Sequence, residues 1–126
     1  MNKQLNVAVL GATPKPERYA NQAVRLLMEH GFNVIPIHPK FEEIESLNVV
    51  HNLAEIAEPI HSLSLYVGPA RLDPMIAQIV ALKPGRVIFN PGTESAVVQS
   101  ALDDAGIKWL EACTLVMLRT GVFLED

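Results

Sequence analysis

The chain has one cysteine, Cys113, so it can form no internal disulfide, and a structural zinc site lacks its usual ligands. It also has no excess of positive charge. Ten Lys and Arg stand against fourteen Asp and Glu, a net charge of -4. That balance argues against a general nucleic-acid binder, which needs a basic face, but leaves room for a local basic spot that takes one small phosphorylated ligand. No apolar run approaches the roughly 18 residues of a membrane-crossing helix. The first run, Leu5 to Gly11, is too short for a secretory leader core and meets Pro14-Lys15-Pro16-Glu17. His30, His38, His51 and His61 show neither H-x-x-x-H nor H-E-x-x-H spacing. The expectation is a cytoplasmic protein of one domain over residues 1–126, with no metal site, no membrane segment and no nucleic-acid partner.

What is present suits a compact α/β domain. Of 126 residues, 49% are hydrophobic and 19% charged, enough to fold and to bury roughly two-thirds of the unfolded chain's surface. Short β-rich runs alternate with helical periods. Leu5 to Leu10 reads as a strand stopped by Gly11. Arg18 to His30 carries Ala20, Ala23, Val24 and Leu27 at helical spacing, with Gly31 in the C′ position. Asn33 to Ile37 reads as a second strand and Leu63 to Val67 as a third, ended by Gly68-Pro69. Asp73-Pro74 reads as the cap and first residue of a helix bearing Ile76, Ile79 and Val80, stopped by Pro84-Gly85. Arg86 to Asn90 is a fourth strand. Thr93 caps a helix through Val97, Val98, Ala101, Leu102 and Ala105, closed by Gly106. Ile107 to Leu110 is a fifth strand, and Leu115 to Leu118 a short closing helix. Phe41 to Ile60 is less regular, with Asn52 placed to cap a turn or two.

This alternation predicts a doubly wound, parallel five-stranded sheet with helices on both faces. Numbering strands along the chain, the expected order is 3-2-1-4-5. Pro36 then falls inside the sheet, where it removes a ladder donor near a strand end. Ligands of such folds bind beyond the carboxyl ends of the strands, where the order reverses. In the expected order these are the loops after strands one and four, Gly11-Ala12-Thr13-Pro14 and Pro91-Gly92-Thr93-Glu94, flanked by those after strands two and three, His38-Pro39-Lys40 and Gly68-Pro69-Ala70-Arg71. Glycine lets backbone amides approach a phosphate, proline holds the loop ready, and the first loop feeds a helix N-terminus. Each loop taken alone is more often a plain turn, and it is their coincidence on one rim that points to a ligand.

The dinucleotide fingerprint G-x-G-x-x-G is absent. Only Gly11 is present, with Thr13 and Pro16 in the other glycine positions, and no acid closes strand two to hold a ribose hydroxyl. Lys40 there suits a ribose phosphate, which coenzyme A and NADP both carry; it also reads as a solvated surface lysine. His38 lies on the rim. Cys113 reads as a buried, inert thiol, since no neighbour is placed to stabilise its thiolate. Trp109 and Tyr66 read as core, Asp103-Asp104 as a solvated face, and Glu94 as an acid in a helix's first turn. No paired carboxylates or nucleophile–base spacing points to catalysis.

Val7-Ala8-Val9-Leu10-Gly11-Ala12-Thr13, then Arg18, then Leu26 through Pro39, resembles the opening of the small CoA-binding proteins. These are stand-alone relatives of the CoA-binding domain of the succinyl-CoA synthetase alpha subunit. Asn90-Pro91-Gly92-Thr93-Glu94, Ala105-Gly106-Ile107 and Cys113-Thr114-Leu115-Val116 are similar to the family's later pattern. The resemblance covers nearly the whole chain and is loose from Phe41 to Ile60. It implies a Rossmann-like domain that binds coenzyme A or an acyl-CoA at the rim. Gly11, Ala12 and Thr13 would take phosphates through backbone amides and the Thr13 hydroxyl, and Arg18 would stand near the pyrophosphate. Pro39 and Lys40 would face the adenosine end, with Arg71 on the neighbouring loop. Gly68, Pro69, Pro91 and Gly92 would line the pantetheine side. The synthetase's phosphorylated histidine lies in a domain this chain lacks, so ligase chemistry does not carry over. Thr13 stands where many members have serine, and Pro14-Lys15-Pro16 is an insertion. The first expectation is therefore a CoA-binding module without catalysis of its own, serving as sensor, carrier or subunit, alone, as a homodimer or with a protein partner. The alternative is an NADP-linked or other nucleotide-dependent small enzyme using His38 or Cys113. A third reading is an interaction protein whose rim is vestigial.

Overall fold

The computed structural model describes residues 4–124, so the outermost ends of the expected 1–126 domain lie outside the described residues. Five parallel strands form the main sheet: β1 (Asn6–Leu10), β2 (Asn33–Ile37), β5 (Ser62–Leu65), β6 (Arg86–Phe89) and β7 (Lys108–Glu111). Helix α1 (Tyr19–Glu29) and helix α5 (Thr114–Arg119) cover one face. Helices α2 (Pro69–Leu72), α3 (Ile76–Leu82) and α4 (Ala96–Asp104) cover the other. The two faces carry separate apolar cores. Val7, Val9 and Ile88 meet Val24, Leu27 and Met117 on the first; Leu63, Leu65, Val87 and Phe89 meet Leu72, Ile79, Val98 and Leu102 on the second. The central strands β5 and β6 are buried along their whole length, as parallel strands covered on both faces must be. Among the described residues, no helix is long and apolar enough to cross a membrane.

The strand order is β2-β1-β5-β6-β7, or 2-1-3-4-5 counting main-sheet strands along the chain. This corrects the expected 3-2-1-4-5. The second strand is an edge strand, and Pro36 is the reason it can be. Ile37 O accepts from Gly11 N on the β1 side, so in the alternating ladder Pro36 turns its nitrogen outward, where no sheet strand needs a donor. Its carbonyl faces the same way and accepts from Val50 N at 2.9 Å. Pro36 is therefore a mark of the edge. The order now reverses between β1 and β5, so the ligand-binding rule points to the loops after the first and third main-sheet strands and not, as expected, after the first and fourth.

Three local boundaries also differ from the sequence reading. The helical run after β5 starts at Gly68-Pro69, the true cap and first position. Pro74 then turns it into a 3-10 stretch, Asp73–Met75, before α3. Asp73 accepts a hydrogen bond from the Ser95 hydroxyl at 2.8 Å instead of capping its own helix. Ser95, not Thr93, caps α4, accepting from Val98 N, so Glu94 precedes the helix and accepts from Gly92 N at 3.0 Å. The irregular stretch holds a two-stranded hairpin, β3 (Glu43–Ile44) and β4 (Leu47–Asn48). Its turn residues Glu45 and Ser46 both have left-handed backbones, φ 51° and 66°. Asn-Gly is the usual signal for such a turn, and each non-glycine residue there costs about 1 kcal/mol.

Candidate ligand-binding cleft

The carboxyl ends of β1, β2 and β5 open into a cleft of about 850 Å³, within the usual range of roughly 300–1,000 Å³ for small-molecule sites. The β1–α1 loop contributes Thr13, Lys15 and Arg18. The segment after β2 contributes His38, Pro39, Lys40 and Phe41. Tyr66, Val67, Arg71 and Met75 come from the segment after β5. Four of the chain's ten Lys and Arg, namely Lys15, Arg18, Lys40 and Arg71, therefore face one cleft whose lining holds no carboxylate. In a chain of net charge -4 that concentration gives the cleft a positive field suited to an anion.

The start of α1 adds to this field. Arg18 is its N-cap and makes no side-chain cap bond. Gln22 N donates to Arg18 O, so the amides ahead of it have no partner within the helix and sit at the positive end of the dipole. The Thr13 hydroxyl accepts from Lys15 N at 3.3 Å and keeps its own hydrogen to donate. His38 is not a fifth cation at neutral pH. Burial pushes its pKa below the ordinary value, and the charges of Lys40 and Arg71 push the same way. Its Nδ1 accepts from Lys40 N at 3.0 Å, so in the neutral ring the hydrogen sits on Nε2. The ring leans on Phe41 with centroids 4.4 Å apart. His38 thus presents a fixed N–H donor.

The family model for the CoA binding domain matches residues 5–119. The chain belongs to this CoA-binding family. One relative is the uncharacterized protein YneT of Bacillus subtilis, 24% identical over 66 residues, spanning 52% of this chain and 49% of that one. Another is the acetate–CoA ligase (ADP-forming) I of Archaeoglobus fulgidus, 28% identical over 97 residues, 75% of this chain. The chain spans about half the length of the first and 14% of the second. Among solved structures, an uncharacterized protein superposes with a TM-score of 0.89 at 37% identity, covering 97% of this chain and 100% of the other. A Thermus thermophilus protein superposes with 0.88 at 30%, covering 95% and 91%. These likenesses establish the α/β Rossmann-like fold.

Within this CoA-binding domain the cleft gathers Gly11, Thr13, Arg18, Pro39, Lys40 and Arg71 of the residues expected from sequence. Ala12, Gly68, Pro69, Pro91 and Gly92 do not line it. Gly11 and Ala12 are also not free phosphate donors, because both amides bond to Ile37 O, at 3.0 and 3.2 Å. The need for glycine at position 11 is internal. Its φ is +92°, and a Cβ would lie 2.9 Å from both Tyr66 O and Val67 Cγ1. Glycine lets the first loop pack against the end of β5, and that contact shapes the cleft floor.

Sequence reasoning missed Lys15, Tyr19, Tyr66, Val67 and Met75 as cleft residues. Lys15 was legible, since two prolines hold a lysine one turn ahead of a helix. Tyr66 was not, because it reads as the interior of a longer third strand. It has left the sheet, half-buried, with its ring on the α1/α5 side. Burial foremost, and then the negative charge Cys113 carries once it is a thiolate, push the Tyr66 pKa up to about 12, against a smaller opposite pull from the nearby Thr114 and Ser64 hydroxyls. Its hydroxyl lies near Ser64 and Thr114, which bond to each other at 2.8 Å and leave the phenol without a hydrogen-bond partner. Cys113 is half-buried and free, Trp109 is half-buried, and Asp103 accepts from Trp109 Nε1 at 2.8 Å.

Proposed function

We propose that this protein binds coenzyme A or an acyl-CoA in the cleft between β1, β2 and β5 and contributes no chemistry of its own. The observation that carries the reading is the set of four cations, unopposed by any carboxylate, in one cleft of a net acidic chain. The pyrophosphate and 3′-phosphate of coenzyme A together bring roughly four negative charges. Membership of the CoA-binding family points to the same ligand. Thr13, Lys15, Arg18 and the α1 N-terminus are the side suited to the pyrophosphate. Lys40 and Arg71, with Pro39, suit the ribose phosphate. Gly68, Pro69, Pro91 and Gly92 are assigned to a pantetheine arm that leaves the cleft across the rim. The reading takes the chain as one ligand-binding domain.

The test is calorimetric titration with coenzyme A, dephospho-CoA and NADP, with native mass spectrometry of freshly purified protein. Expected are co-purified coenzyme A or acyl-CoA, and an affinity that falls with salt as screening weakens the cations. Dephospho-CoA should bind about 5- to 30-fold more weakly, the worth of one partly solvated charge pair. The end of β2 bears Lys40 and no acid, which also suits the 2′-phosphate of NADP. A preference for NADP in the same titrations overturns the coenzyme A reading in favour of a nucleotide-dependent small enzyme.

A further inference from the structure

The β1–α1 loop is gripped from behind by a chain of side chains. Asn21 of α1 is fully buried. Its Nδ2 donates to Thr13 O at 2.9 Å and to the Glu45 carboxylate at 3.0 Å. Its Oδ1 accepts from Arg25 Nε at 2.7 Å, and Arg25 Nη2 donates to Pro16 O at 3.0 Å. Both ends of the segment 13–16 are thus fixed through one buried amide, and Thr13 and Lys15, which face the cleft, lie within it.

The third party in this chain is the hairpin tip. Glu45 keeps a left-handed backbone that glycine would adopt more readily, and Ser46 beside it does the same. A strained turn persists where its surroundings hold it, and the bond from Asn21 to the Glu45 carboxylate is such a hold. The hairpin is itself anchored by buried Ile44 and follows directly on Lys40 and Phe41, on the opposite wall of the cleft. The tip therefore joins the two walls from outside the ligand space.

We propose that Glu45 is a positioning residue: acting through Asn21, it holds the 13–16 loop so that the Thr13 hydroxyl and Lys15 meet the ligand's phosphates without reordering. This rests on the cleft being the coenzyme A site proposed above. Preorganised donors save the ordering entropy that a mobile loop spends on binding.

Glu45→Gly separates positioning from stability. Glycine relieves the left-handed backbone and so offsets part of what is lost when the buried Asn21 amide loses its acceptor, and urea unfolding checks that the variant is fully folded where binding is measured. A purely structural Glu45 would then leave affinity unchanged. The expected result is coenzyme A binding weaker by about 3- to 10-fold, with faster hydrogen exchange at the Lys15 and Arg18 amides in the unliganded protein. Glu45→Gln keeps an oxygen that can accept from Asn21 and should restore both. Ser46→Gly relieves the same turn without touching the latch and should leave affinity unchanged. Native affinity in Glu45→Gly overturns the proposal, whatever happens to exchange. If the native chain binds no coenzyme A, the functional reading falls, and the latch itself is overturned if exchange at Lys15 and Arg18 does not change.

Discussion

At the β1–β2 end of the carboxyl rim, four cations face an open cleft; at the β6–β7 end, the polar groups are bonded to one another. Asn90 sits just past β6, buried. Its Nδ2 donates to Ser64 Oγ at 2.9 Å and Leu65 O at 2.8 Å, and its Oδ1 accepts from Thr114 N at 2.8 Å. Thr93 donates its hydroxyl and its amide back to Asn90 O, at 2.8 and 3.0 Å. Gly92 N is taken by Glu94. The two ends have similar Gly- and Pro-rich loops and opposite uses for them. One gathers cations with no carboxylate among the described residues that line it. The other spends its hydrogen-bonding capacity on joining β5, β6 and the start of α5.

The sharpest way to break this contrast is Asn90→Leu. The change orphans Thr114 N–H and removes a partner from Leu65 O and Ser64. At about 1–3 kcal/mol for each buried group left unsatisfied, the expected loss is about 3–5 kcal/mol, read from urea unfolding. Coenzyme A affinity of the fraction that remains folded should change less than twofold. A variant that stays stable and loses coenzyme A would place this network in the ligand site.

The glycines at the two ends sharpen the same contrast. Gly11 has φ +92°, and a Cβ there would lie 2.9 Å from Tyr66 O; Gly92 has φ +94°, and a Cβ there would meet nothing within 4 Å. Gly11→Ala meets strain and collision and should cost about 2–4 kcal/mol, whereas Gly92→Ala meets backbone strain alone and should cost about 1 kcal/mol. Thermal or urea unfolding reads both. Equal costs would mean that the close approach at Gly11 relaxes easily.

These residues also show what the sequence could and could not reveal. Strand and helix alternation was legible because glycine and proline punctuate nearly every element. The parallel α/β class followed from that, and so did a rim bearing Gly11, Thr13, Arg18 and Lys40. The order of strands was legible only through Pro36, whose outward nitrogen marks an edge, and treating it as an interior defect gave the wrong order. The half of the rim that carries the cleft followed from that order. The Asn90-Pro91-Gly92-Thr93-Glu94 motif looks the same in sequence whether its polar groups face a ligand or each other. The hairpin was hidden because Glu45-Ser46 lacks the expected turn residues, and the hydrogen bond that holds its tip comes from Asn21, distant in sequence.

A smaller effect tests the cationic end directly. Lys40 is exposed beside the cleft, so its pairing with a phosphate keeps much water. Lys40→Ala should weaken coenzyme A binding by about 5- to 30-fold, more at low salt than at high salt. Dephospho-CoA should bind the variant and native chains almost equally. Equal losses for both ligands would move Lys40 to the pyrophosphate. Lys108, on β7 at the far edge, provides the contrast: Lys108→Ala should leave both titrations unchanged.

The smallest expected effect lies at the border between the two ends, on Tyr66. Its ring lines the cleft, while its hydroxyl is buried without a hydrogen bond beside the Ser64–Thr114 pair. Removing a buried, unsatisfied hydroxyl relieves its desolvation, so Tyr66→Phe should raise stability by up to about 1 kcal/mol at neutral pH. The pH dependence gives an independent reading. The folded chain holds the phenol proton up to about pH 12, whereas the unfolded chain releases it near pH 10. Between those values the unfolded state binds fewer protons, so native stability falls as pH rises. By about pH 10.5 the loss should be about 0.8 kcal/mol relative to neutral pH, and the phenylalanine variant should not show it. Parallel urea titrations of the two proteins at pH 8 and 10.5 measure the difference, on the order of one kcal/mol. A gap that stays constant with pH would mean that the Tyr66 hydroxyl is solvated, and that the border between the open and the self-bonded ends is wetter than its burial implies.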